Sequence, residues 1–102
     1  MAIPQTLNQH LRLPLIAAPM FLISNPELVI ACCKNGIIGT FPSLNQRTSE
    51  GFEEWLLSIK SELSKLTHAG QPPAPFGVNL VVHNTNPRAA AALALCVKHE
   101  VP

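Results

Sequence analysis

The chain reads as an α/β fold, and three observations predict it. Three short segments, about Leu13–Ala18, Ile37–Phe41 and Phe76–Val82, are apolar on both faces, as in buried parallel strands. Each is followed by a stretch with helical spacing, at about Pro26–Lys34, from Thr48 or Ser49 to about Leu66, and from Asn86-Pro87 to about His99. The connections between them are short, as strand–helix repeats require. Helical crossovers between parallel strands are right-handed in nearly all cases, which winds such units one way. An open doubly wound sheet and a closed (β/α)8 barrel both satisfy this pattern.

The elements follow in order. Asn8 to Arg12 leads into the first predicted strand, with Pro14 tolerated at its start. The strand must end at Ala18-Pro19-Met20, because Pro19 has no N–H to give to a ladder. Loops just past the carboxyl ends of parallel strands are where α/β proteins place ligands. The first helix has Asn25 as N-cap, Pro26 at N1, Glu27 at the positive end of the dipole, and Gly36 to close it in the left-handed region. Pro42 to Arg47 is a polar loop. In the second helix Phe52, Trp55, Leu56, Ile59, Leu63 and Leu66 form an apolar stripe, with Glu53, Glu54, Lys60 and Glu62 off it. Gly70-Gln71-Pro72-Pro73 is a turn-rich linker. The third helix opens on Asn86-Pro87, as the first opens on Asn25-Pro26, and continues smoothly through Ala89–Ala92.

Composition narrows the function classes. The 102 residues hold at most one domain, 47% hydrophobic and 13% charged, against roughly 25% charged in ordinary soluble domains. Scarce charge implies that much of the surface is covered by protein outside these residues, and the chain reads as the opening part of a larger domain. A net charge of +1 gives no basic footprint for nucleic acid. No apolar stretch approaches the roughly 20 residues that span a bilayer, and Met1–His10 lacks the layout of a signal peptide, so a cytoplasmic location is expected. Cys32, Cys33 and Cys96 are odd in number, lack C-x-x-C spacing, and read as reduced structural thiols.

The runs Leu15-Ile16-Ala17-Ala18-Pro19-Met20, Gly36-Ile37-Ile38-Gly39-Thr40-Phe41 and Pro75-Phe76-Gly77-Val78-Asn79-Leu80, in that order, resemble the nitronate monooxygenase (2-nitropropane dioxygenase) family. The resemblance covers essentially the whole chain and implies the first three strand–helix units of an FMN-binding TIM barrel. It further implies FMN-dependent oxidation of an alkyl nitronate with O₂ to a carbonyl compound and nitrite. It places the main chain of Ala18, Pro19 and Met20 against the flavin ring, with small Ala18 permitting close approach. Asn79 interrupts an apolar run, where an unpaired buried amide would cost roughly 2–7 kcal/mol. Its donor and acceptor match the edge of the flavin pyrimidine. A simple strand terminator at Pro19, and an Asn79 bonded to a neighbouring strand or loop, are the alternative readings.

The family's histidine base and phosphate-binding glycine loops come from later strands. No catalytic residue is therefore assigned within residues 1–102, and this stretch alone is expected to be inactive. His83 reads as a solvated loop histidine, His10 and His68 as surface or turn residues, and His99 as a complement to a helix dipole. Asn45-Gln46-Arg47 follows the second strand on the active face and reads as a solvated loop, with contact to substrate or flavin as the alternative. Gly36–Gly39 joins a helix to a strand, whereas phosphate loops precede a helix, so it is no phosphate cradle. No metal site is expected. Related flavin barrels such as NAD(P)H-dependent enoyl-acyl-carrier-protein reductases, and a non-catalytic product that pairs with another polypeptide, are the rival readings. A homo-oligomer is left open.

Overall fold

The computed structural model of the protein describes residues 3–102. Its elements are α1 (Pro26–Lys34), β1 (Gly39–Pro42), a 3₁₀ turn (Ser43–Asn45), α2 (Ser49–His68), β2 (Phe76–Asn79) and α3 (Ala89–Lys98). The fold is α/β, with helices packed on a two-stranded parallel sheet.

Local chemistry sets the helix boundaries. The Asn25 side chain accepts a hydrogen bond from the Leu28 N–H, which satisfies one of the unpaired donors at the start of α1. The helix closes at Gly36, whose φ is +82°. There the Ile37 N–H bonds the Cys32 carbonyl and the Gly36 N–H bonds the Cys33 carbonyl, the paired bonds of a Schellman ending. Glycine is required at this position on two counts. Its φ lies in the left-handed region, and a Cβ would stand 2.5 Å from the Arg12 Cβ. Thr48 caps α2 by accepting from the Gly51 N–H.

The apolar stripe of α2 packs as its spacing predicts. Phe52, Leu56 and Ile59 are buried, and Trp55 and Leu63 pack at the margin. Phe41 on β1 lies at the centre, fully buried, with ring centroids 5.9 Å from Phe52 and 5.6 Å from Trp55. Each such side chain contributes about 1.5–3 kcal/mol by leaving water. Cys33 and Cys96 belong to the same core and Cys32 is half-buried; all three are free thiols. Burial pushes the Cys33 thiol up to about 11, so it stays protonated and unreactive at neutral pH.

The sheet departs from expectation at its first strand. Residues Leu13–Ala18 form only an isolated parallel bridge, Ile16 to Ile38. It is held by the Ala17 N–H on the Ile38 carbonyl at 2.8 Å and the Ile38 N–H on the Leu15 carbonyl at 3.0 Å. The segment is not buried on both faces: Leu13, Leu15 and Ile16 are more than half exposed. The reason is geometric. The helices cover one face of the sheet, and among the described residues no layer covers the other face or the outer edge of this segment. Continuous apolar character signals burial only where both layers are present. Asn86-Pro87 likewise does not open α3, which begins at Ala89. The Asn86 side chain instead donates to the Val81 carbonyl and accepts from the Arg88 N–H, closing a turn.

Candidate functional site

β1 and β2 run in register from Gly39 opposite Phe76 to Pro42 opposite Asn79, and the 13–18 segment lies parallel along the other side of β1. Three successive parallel segments therefore end along one edge of the sheet. Ala18, Pro19 and Met20 leave the sheet at one position on this edge, and Asn79 ends β2 at another, with β1 between them. Phe41, Phe76 and Val78 contact the helical layer, so Thr40, Gly77 and Asn79 alternate onto the uncovered face. The sequence-predicted residues share an edge, and among the described residues no hydrogen bond joins the Ala18–Met20 turn to Asn79.

The chemistry of the first exit loop is well defined. The Ala17 N–H bonds the Ile38 carbonyl, and the Ala17 carbonyl accepts from the Thr40 hydroxyl. Met20 is also engaged. Its N–H donates to the Ser24 Oγ at 2.8 Å, and its carbonyl accepts from the N–H groups of Ile23 and Ser24 and from the Asn45 side chain. Pro19 has no N–H. Among the described residues, the Ala18 N–H and the carbonyls of Ala18 and Pro19 have no protein partner. Any polar contact from this main chain to a ligand must come from those three groups rather than from the backbone of Met20. Ala18 and Pro19 are exposed, and a methyl is all that Ala18 places in the way.

Asn79 differs from its sequence reading in one respect. It is exposed rather than buried, because the face it occupies has no covering layer, and the desolvation cost reckoned for a buried amide does not apply to it. Its carboxamide makes no side-chain hydrogen bond among the described residues, so donor and acceptor are both available at the strand end.

His83 lies beyond β2 and is exposed. Its Nδ1 sits 2.8 Å from the Thr85 Oγ1 and accepts from the Thr85 N–H, with no carboxylate to orient it. His68 is exposed at the end of α2, with its Nδ1 2.9 Å from the Ser64 carbonyl oxygen. His99 does more than complement a helix dipole: its Nε2 lies 2.7 Å from Glu53 Oε2, which Lys98 also approaches at 3.1 Å. The hydrogen bond from His99, then that from Lys98, holds the Glu53 carboxyl below its usual range. This cluster ties α2 to the end of α3.

The sequence predicts a solvated loop for Asn45 and its neighbours. Asn45 is instead engaged with the exit loop, while Gln46 offers its carbonyl to Arg88 at 2.7 Å and Arg47 is exposed. Its apolar approach and polar position in sequence carry no signal of a partner more than twenty residues away.

A concavity of about 460 Å³ lies at the opposite end of β2 beside Lys60, Leu63, Thr67, Pro73 and Phe76. Its Lys60 ammonium is already directed to the His99 carbonyl at 2.5 Å. No cluster of three His, Cys, Asp or Glu side chains able to hold a metal exists among the described residues, and no helix there is long and apolar enough to cross a membrane. No protein-family model matches the chain, and no curated protein or solved structure matches it.

Proposed function

We propose that this chain supplies the first three strand–helix units of an FMN-binding (β/α)8 barrel, and the cofactor-contacting edge of an enzyme that oxidises alkyl nitronates with O₂ to a carbonyl compound and nitrite. The observation that carries the reading is the common edge of three parallel segments. On it the Ala18 and Pro19 main chain keeps unpaired polar groups and Asn79 presents a free carboxamide. A flavin needs a flat approach, donors and acceptors for its polar edge, and freedom from bulky side chains. Ala18, Pro19 and Asn79 meet those needs.

The residues then have distinct tasks. The Ala18 N–H and the carbonyls of Ala18 and Pro19 hold the ring edge, and Asn79 offers both a donor and an acceptor to the pyrimidine. The exposed Met20 side chain stands beside them as an apolar neighbour. FMN, when bound, supplies electron acceptance from the substrate and reduction of oxygen, while the protein orients and encloses the reactants. Nitronate is already an anion, so no proton need be removed from it, and none of the described residues is assigned as a base.

Oxygen uptake by the intact FMN-loaded enzyme, with the later strands of the barrel present, tests the reading, with pre-ionised nitronate in one arm and NADH in the other. Uptake with nitronate and little NADH oxidation is expected. Rapid NADH turnover without nitronate oxidation would place the protein with the reductase-type flavin barrels instead.

A further inference from the structure

We propose that Asn45 is a positioning residue for the cofactor edge: it latches the Met20–Ser24 turn and so fixes how the Ala18–Pro19 main chain is presented. The claim rests on the reading of Ala18 and Pro19 as flavin contacts given above.

Three hydrogen bonds carry it. The Asn45 carboxamide N–H group donates to the Met20 carbonyl at 3.1 Å and to the Ser24 carbonyl at 2.7 Å, and its Oδ1 accepts from the Leu22 N–H at 2.9 Å. One side chain thus reads both ends and the middle of a five-residue turn. The match is chemical as well as geometric. Two acceptors and one donor face it, and of the side chains of this size only a carboxamide offers donors and an acceptor together.

The turn needs such a hold. Leu22 has φ +65°, in the left-handed region that a leucine rarely adopts. Its side chain is 78% exposed, and those of Phe21 and Ile23 are also largely exposed, so packing does not fix the loop. The other constraints are Ser24, buried, with its hydroxyl on the Met20 N–H, and the bonds from the Ile23 and Ser24 N–H groups to the Met20 carbonyl. Strained conformations persist where surrounding bonds over-determine them, and they concentrate where a loop must hold a ligand-facing shape. Asn45 itself is set by the end of β1 and the 3₁₀ turn Ser43–Asn45, so the latch ties the exit of the 13–18 segment to the exit of β1.

The test pairs Asn45→Ala with Asn45→Asp in the intact protein, with the later phosphate-binding strands present, and reads two quantities in each. Hydrogen exchange of residues 20–24 reports the turn, with exchange in α2 as the folding control. Titration with FMN, followed by flavin fluorescence, reports the cofactor edge. For Asn45→Ala, exchange in 20–24 should rise roughly tenfold while α2 is unchanged, and FMN affinity should fall by about the same factor. Asn45→Asp is isosteric and keeps the acceptor for Leu22, yet it turns a carboxylate toward the Met20 and Ser24 carbonyls. It should therefore fold and still fail to restore FMN affinity. Rescue of both readouts by Asp would show that Asn45 only fills space and would overturn the proposal. So would unchanged exchange in 20–24, or faster exchange with FMN affinity intact. If the wild-type protein does not bind FMN at all, the flavin reading itself fails and the positioning role falls with it, while the exchange data separately decide whether the latch exists.

Discussion

Replacing Gly39 by alanine probes how closely α1 rides on β1. A Cβ at position 39 would lie 2.6 Å from the Val29 carbonyl oxygen, 2.9 Å from its Cα and 3.1 Å from its carbonyl carbon. All three atoms belong to the backbone in the middle of α1, so no side-chain rotation relieves the clash. Ordinary contact begins near 3.4 Å, so the helix must retreat by roughly 0.8 Å. A gap of 0.5–1 Å forfeits about a quarter to a half of the dispersion attraction of each atom pair that it separates. Val29 and Cys33, both fully buried on the face of α1 that meets the core, would lose contact with Phe41 and its neighbours. Overpacking of this kind costs about 1–3 kcal/mol, which lowers Tm by roughly 5–20 °C in a domain of this size. Trp55 packs edge-on against Phe41, so its fluorescence during urea unfolding reports the loss directly. Gly77→Ala is the internal control. Its Cβ would meet only the Thr40 Cγ2, at 3.3 Å, a methyl that can shift by a few tenths of an ångström. Gly39→Ala and Gly77→Ala unfolding at the same urea concentration would refute the close-approach account.

Three other expectations follow from the same structure. Asn25→Ala removes the side-chain cap of α1 and should destabilise by about 1 kcal/mol, seen as a lower urea midpoint with unchanged slope. The Glu53 carboxyl is held below its usual range, so the bonds from His99 and Lys98 stabilise the fold while it is ionised. That contribution is complete above the unfolded carboxylate pKa and is lost as pH falls through the folded value; the stability difference from Glu53→Gln should shrink on acidification below about pH 4, and a difference that grows there would contradict the assignment. In the intact enzyme proposed above, Asn79→Ala should weaken FMN binding by roughly 5- to 150-fold, the equivalent of about 1–3 kcal/mol for polar atoms left unmet in the complex, whereas His83→Ala should leave nitronate-dependent oxygen uptake nearly unchanged.

Features decided by near neighbours in the chain were legible in the sequence. Asn25-Pro26-Glu27 and Gly36 bound α1 through bonds no more than five residues long, and the stripe from Phe52 to Leu63 needs only helical geometry to face one way. What depended on distant partners was not legible. Leu13–Ala18 has the composition of a doubly covered strand, yet its exposure follows from which layers surround it. Asn86-Pro87 repeats the dipeptide that opens α1, but the Val81 carbonyl and the Arg88 N–H draw the Asn86 side chain into a turn. At the candidate site, Pro19 announces the strand exit and Asn79 stands out in an apolar run. The engagement of Met20's backbone, the Asn45 latch and the Glu53–His99 pair arise from contacts spanning three to forty-six residues, most of which no local pattern encodes.

The proposed function holds FMN at the carboxyl-end edge of the sheet, at Ala18, Pro19 and Asn79. The most direct measurement is an FMN titration followed residue by residue through amide chemical shifts. Saturable shifts of the Ala18 backbone amide and the Asn79 side-chain amide are expected in the intact protein, with Met20, whose N–H stays on Ser24, moving less. Gly70 and the residues around Lys60 at the opposite end should not move. Shifts confined to the Lys60–Phe76 concavity, or no shifts at Ala18 and Asn79 under saturating FMN, would contradict it.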